Sequence, residues 1–177
     1  MLVFIHGGNN QTGNAGEIPG TDLVKKDNCV YVSVDYRLGL LGFNCLPALQ
    51  KEENSTGNYA MLDIGAALDW VKENIAAFGG DPGNVTISGF SAGGRDVMAM
   101  PASPVFKGKF QKAIAFSGGM TTADEGLSAK KIAAAMAPLA VEGEIREKMV
   151  KHVLNGRWFS LAQDEYFGNE SLWDDAE

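Results

Sequence analysis

The sequence predicts an α/β domain built on a mostly parallel sheet of at least four strands with helices on both faces. Three observations predict it. Short apolar runs rich in β-branched and aromatic residues recur along the chain, amphipathic segments with helical spacing stand between them, and glycine-rich turns close the strands. At 177 residues, with 45% hydrophobic and 21% charged content, the chain has room for a core and an ordinary globular composition. It contains no internal repeat, low-complexity tract or interdomain linker, so residues 1–177 read as one domain.

Leu2 to Ile5 is an apolar run closed by His6-Gly7-Gly8, which reads as a strand and a glycine-rich loop. Asn9 to Asp27 is polar loop with a short helix near Asp22 to Lys26. Cys29 to Tyr36 is a second strand. Arg37 to Gly57 is irregular, broken by Gly39, Gly42 and Pro47. A long helix from Tyr59 to Phe78 follows, with Asn58 as candidate N-cap and an apolar stripe of Ile64, Leu68, Val71, Ile75 and Phe78. Gly79-Gly80 stops it, and Asp81-Pro82-Gly83-Asn84 is turn chemistry. Val85 to Ser88 is a third strand, Ala92 to Met100 a helix ended before Pro101, and Lys112 to Ser117 a fourth strand. Ser128 to Ala137 and Glu144 to Leu154 read as helices; the tail from Trp158 has no strong period.

Charge and composition narrow the function. A net charge of −7 argues against a nucleic-acid surface. No apolar run reaches membrane-span length. Cys29 and Cys45 are the only cysteines, without metal-ligand spacing, so two reduced thiols are expected and no disulfide framework. Met1 leads straight into a strand with no signal peptide before it. Compartment is left open, with the cytoplasm as default, and so is oligomeric state.

Gly89-Phe90-Ser91-Ala92-Gly93 fits G-x-S-x-G, and its context gives it force: it follows a predicted strand and opens a predicted helix. A sharp strand-to-helix turn exposes the central side chain. Gly89 and Gly93 avoid a collision across the turn, and Gly94 lets the helix lie close to the sheet. The competing reading is an ordinary serine N-cap. After the first strand, His6-Gly7-Gly8-Asn9 can offer backbone N–H groups to a developing oxyanion; the competing reading is a plain glycine turn. Asn9 stands where a third glycine is expected, and Asn tolerates positive φ better than most residues.

The run from Phe78 to Gly93 resembles the serine signature of type-B carboxylesterases, the cholinesterase-like and para-nitrobenzyl-esterase-like group of the α/β-hydrolase superfamily. Phe4-Ile5-His6-Gly7-Gly8 resembles the family's oxyanion strand and loop, and Asp35-Tyr36-Arg37-Leu38-Gly39 its Asn-Tyr-Arg segment. Gly57-Asn58-Tyr59 through Val71 resembles its long helix, and Phe110 to Gly118 its next strand. The resemblance covers roughly the first two-thirds of the chain and implies an α/β-hydrolase fold. It implies Ser91 as nucleophile, the amides of Gly8, Asn9 and Ala92 as oxyanion hole, and a small-molecule ester as substrate, with no metal or cofactor. It also implies that Arg37 and Asp63 form a buried ion pair behind the sheet. Three departures stand out: Asn9-Asn10 replaces the usual Gly-Phe, Phe90 the usual glutamate, and Asp35 the usual asparagine.

A serine nucleophile needs a base, ordinarily histidine oriented by a carboxylate, in the chain order Ser, Asp or Glu, His. His6 precedes the serine and belongs to the oxyanion loop. His152 follows it within a predicted helix and reads as solvated; Asp124 and Glu125, after the fourth strand, read as an acidic loop start. The expectation is therefore a partial hydrolase domain that lacks early strands and the later acid and histidine, nearly inactive alone. Two other readings use the same residues: a non-catalytic hydrolase-fold interaction module, and an amide or lactone hydrolase or acyltransferase. For a hydrolase sheet, as the resemblance implies, the strands should order second, first, third, fourth, and Ser91, at its strand-to-helix turn, should have unusual backbone angles.

Overall fold

The computed structural model describes residues 1–45, 57–119 and 125–136. The chain divides into two compact units. In the first, β1 (Leu2–Ile5), β2 (Tyr31–Val34), β3 (Thr86–Phe90) and β4 (Lys112–Phe116) form one sheet in the order β2-β1-β3-β4, every pair parallel. Mixed classes and antiparallel meanders are thereby ruled out for this sheet, and the expected strand order is the one found.

Strand lengths follow the pairing available rather than composition alone. β2 is shorter than Cys29 to Tyr36 because β1 offers only Leu2 to Ile5 as partner, matched one to one with Tyr31 to Val34. Beyond that ladder Asp35, Tyr36 and Arg37 turn to side-chain bonds with the Ala15 amide, the His6 carbonyl and Asp63. β3 runs on through Gly89 and Phe90, because these pair with Ala115 and Phe116 of β4.

Alternation along the strands divides the sheet into two faces. On one, Val3, Ile5, Val34 and Ile87 join a single core cluster with Ile64, Leu68 and Val71 of α3 (Tyr59–Asn74) and Val97 of α4 (Ala92–Ala99). On the other, Phe4 stacks on Tyr31, against whose ring lies Gly20, the residue that starts α1 (Thr21–Asp27). A single helical turn, α2 (Gly39–Gly42), fills part of the stretch read as irregular. The predicted long helix is α-helical to Asn74 and finishes as a 3-10 turn over Ile75–Phe78. Asn58 does not cap α3 through its side chain. β4 is exposed along its whole length, with Ile114 and Phe116 in solvent.

In the second unit the described residues are Cys45 and α5 (Glu125–Met136), which begins three residues before the predicted Ser128. The predicted helix Glu144 to Leu154 and the tail from Trp158 lie outside the described residues. Among the described residues no helix is long and apolar enough to cross a membrane.

Candidate active site

β3 delivers the chain to Ser91, and α4 leaves from it. Ser91 takes φ 56° and ψ −118°, a conformation costly for any residue with a Cβ. The turn is clamped from both sides: the Ser91 N–H donates to the Phe116 carbonyl at 2.8 Å, and the Ser91 carbonyl accepts the Arg95 N–H at 3.0 Å. Although Ser91 occupies the N-cap position, its side chain makes no capping bond to α4. The ordinary N-cap reading therefore fails, because the hydroxyl is not consumed by the helix.

The loop after β1 lies against this turn. A methyl group on Gly7 would stand 3.1 Å from the Cβ of Ser91 and 2.7 Å from the Phe90 carbonyl oxygen, so only glycine permits the approach. Gly8 has φ 98°, and Asn9 and Asn10 follow at 55° and 57°. The loop closes on itself: the Gly8 carbonyl accepts the N–H groups of Gln11 and Thr12, both at 3.0 Å. Among the described residues, the N–H groups of Gly8, Asn9 and Ala92 donate to no other group. Ala92 is buried as the first residue of α4.

His6 is packed under the loop. It is buried and stacks on Tyr36 at 4.5 Å, with Nδ1 2.8 Å from the Gly7 carbonyl oxygen. Nε2 is 4.0 Å from Asp35 and has no hydrogen-bond partner among the described residues. Neither ring nitrogen engages Ser91, so His6 is not placed as its base. His152 and Asp124 lie outside the described residues; Glu125 opens α5. Phe90, at the end of β3, is exposed.

The expected ion pair forms, but not as expected. Arg37 grips Asp63 through Nε at 2.7 Å and Nη2 at 2.8 Å, and its backbone N–H adds a third bond at 3.0 Å. The side chains are 49% and 26% exposed, so the pair is not buried. It spans the chain leaving β2 and the first turns of α3, which is a solvent-facing seam.

Three residues of this region carried no assigned role in the sequence: Asn10, Tyr36 and Asp96. Asn10 Nδ2 donates to Asp96 Oδ1 at 3.1 Å, and the Tyr36 hydroxyl donates to the His6 carbonyl at 2.7 Å. Burial, then the charges of Asp96 and Glu17, push the Tyr36 phenol far above its ordinary range, so it remains a donor. Burial pushes Asp96 up to about 6, against the pull of Asn10, Arg95 and His6. Helical spacing could have found Asp96, since it shares a stripe with Ala92 and Met100, both buried.

A parallel sheet ordered β2-β1-β3-β4, with a strained serine between β3 and the following helix, defines an α/β-hydrolase. The carboxylesterase family model matches residues 1–154, and the chain belongs to that family. It is 45% identical over 138 residues to liver carboxylesterase 1F of Rattus norvegicus, covering 75% of this chain and 24% of that protein. It is 43% identical over 149 residues to para-nitrobenzyl esterase of Bacillus subtilis (strain 168), covering 82% of this chain and 30% of that one. A solved PNB esterase superposes with a TM-score of 0.75 at 40% identity, over 84% of this chain and 32% of the other. The chain thus spans about a quarter to a third of the length of these relatives.

Proposed function

We propose that this chain carries the nucleophile and oxyanion hole of a carboxylic ester hydrolase acting on small-molecule esters. Ser91 Oγ attacks the ester carbonyl carbon, and the carbonyl π electrons move to oxygen. The amides of Gly8, Asn9 and Ala92 hold that oxyanion. As it collapses, the C–O bond to the alcohol breaks and the proton taken from Oγ by a general base passes to the departing oxygen. Water then adds to the acyl carbon, giving one proton back to Ser91 Oγ, and the carboxylic acid leaves. The observation that carries the reading is Ser91 itself: held at φ 56°, with a hydroxyl that does not cap its helix, against a glycine loop. Strain of this kind persists where the surroundings over-determine it, and it accumulates at working sites. Attack requires a general base for the Oγ–H, and His6, bonded to the Gly7 carbonyl, does not meet that need.

The test is a chromogenic short-chain ester assayed with the full chain as encoded by its gene, beside Ser91→Ala. Ser91-dependent turnover by the full chain is expected, with labelling of the Ser91 peptide by a fluorophosphonate. Turnover unaffected by Ser91→Ala would sink the assignment.

A further inference from the structure

A side-chain link joins the loop to the helix behind Ser91, and ester chemistry as written above makes no use of it. Asp96 lies in α4, five residues after Ser91, and is only 4% exposed. An acid on the core stripe of a helix is expensive to bury, and burial of this kind calls for a partner. The partner is Asn10: its Nδ2 donates to Asp96 Oδ1 at 3.1 Å, while Asp96 Oδ2 has no hydrogen-bond partner among the described residues.

Asn10 is in turn fixed by its other groups. Its carbonyl accepts the Gly39 N–H at 2.6 Å, and its Oδ1 lies 3.4 Å from the Tyr36 hydroxyl, which donates to the His6 carbonyl. Asn9 and Asn10 are consecutive non-glycine residues in the left-handed region. Such a pair costs energy and survives where contacts hold it. Asn10 is also one of the two positions at which this loop departs from the Gly-Phe of the family it resembles, and the departure meets an acid in α4.

We propose that Asp96 is a positioning residue: its carboxylate holds the Asn10 side chain and thereby fixes the loop from Gly7 to Asn10 in the turn that aims the amides of Gly8 and Asn9 at Ser91. This rests on the reading of that loop as the oxyanion hole. The titratable groups facing Asp96 are His6 at the end of β1, Tyr36 after β2, and Arg95 on its own helix. With burial pushing it up to about 6, Asp96 changes charge close to neutrality, and the loop should sense that change.

The first measurement needs no turnover. Backbone amide signals of Gly8 and Asn9, observed by NMR in the full chain with selective glycine and asparagine labelling, are followed from pH 4.5 to 8. They should titrate with a midpoint near 6 in the parent protein and in Ser91→Ala, and lose that titration in Asp96→Asn. Loop amides that do not titrate, or that titrate identically in Asp96→Asn, overturn the proposal whatever the fate of the esterase reading. The second measurement is kinetic. Asp96→Asn keeps an acceptor for Asn10 and should hold kcat within about 3-fold, whereas Asp96→Leu should lower it roughly 10–100-fold with KM little changed. Should Asp96→Leu fail to fold, Asn10→Ala cuts the same bond from the loop side and should show the same split. Equal losses in Asp96→Asn and the bond-cutting variant, or a change confined to KM, would also overturn it. Turnover that ignores Ser91→Ala defeats the esterase reading alone and leaves the amide titration to decide the link.

Discussion

The guanidinium of Arg37 and the carboxylate of Asp63 meet through two N–H···O bonds of 2.7 and 2.8 Å in a seam open to solvent. A bidentate pair is geometrically strong, and Arg37 also lies 5.1 Å from the centre of the Tyr59 ring. Water nevertheless competes for both charges. Breaking the pair in Asp63→Asn should therefore cost about 1 kcal/mol, far from the roughly 3–5 kcal/mol of a buried pair. Burial raises the Asp63 carboxyl, but the side-chain and backbone bonds from Arg37 and its charge outweigh it and hold the group below 3.8. The stabilisation is thus present above that pH and is lost as pH falls through the lowered value. Urea denaturation at a series of pH values checks this: the two proteins should differ at pH 7, and the difference should shrink as pH falls below 3.8.

Gly93 shows how closely α4 approaches β1. A methyl group there would stand 2.2 Å from the Ile5 carbonyl oxygen and 2.5 Å from that of His6. Both obstacles are backbone, so neither can swing aside. Gly93→Ala should cost about 2–3 kcal/mol by forcing helix from strand. Gly79, at φ 80° with nothing within 4 Å of the corresponding point, isolates backbone strain alone, and Gly79→Ala should cost about 1 kcal/mol. Equal shifts in denaturation midpoint for the two variants would contradict the packing argument.

Asp96 gives the fold a pH dependence of the opposite sign to Asp63. Its folded value of about 6 lies above the ordinary 3.8, so its stabilising contribution is complete below 3.8 and is lost as pH rises through 6. The difference corresponds to about 3 kcal/mol at most. Asp96→Asn removes the ionisation. Its stability relative to the parent should therefore climb between pH 4 and pH 7.5, whatever their difference at pH 4. Parallel stability curves for the two proteins would show that Asp96 titrates alike in the folded and unfolded states, without the upward shift that burial imposes.

The strands and the Ser91 turn were legible in the sequence because each rests on local signals: apolar runs, punctuating glycines, a serine flanked by small residues. The strand order came only from the resemblance to the hydrolase family. What local signals miss is pairing and solvent. β2 ends where β1 ends, a fact about the partner that the Cys29 to Tyr36 run does not contain. The exposure of Arg37 and Asp63 depends on what covers the β2–α3 seam, which neither residue encodes. Asp96 was partly legible, since its register with Ala92 and Met100 puts it inside. Its partner Asn10, 86 positions earlier, emerges only when the sheet brings β1 beside β3.

Ser91 itself should be a site where stability is given up for position. With φ 56° and ψ −118° it holds a conformation that costs roughly 1–3 kcal/mol for a residue with a Cβ. Ser91→Ala deletes the hydroxyl and keeps that strain. Ser91→Gly deletes the hydroxyl and removes the strain, at an unfolded-state entropy cost of about 0.5–1 kcal/mol. The glycine variant should therefore be more stable than the alanine variant by about 1 kcal/mol, although both abolish turnover. The comparison cancels the lost hydroxyl, so the difference reports the backbone alone. Chemical denaturation of both variants at one pH measures it. An alanine variant as stable as the glycine variant would mean that the turn is relaxed, and the argument from strain to function would fall with it.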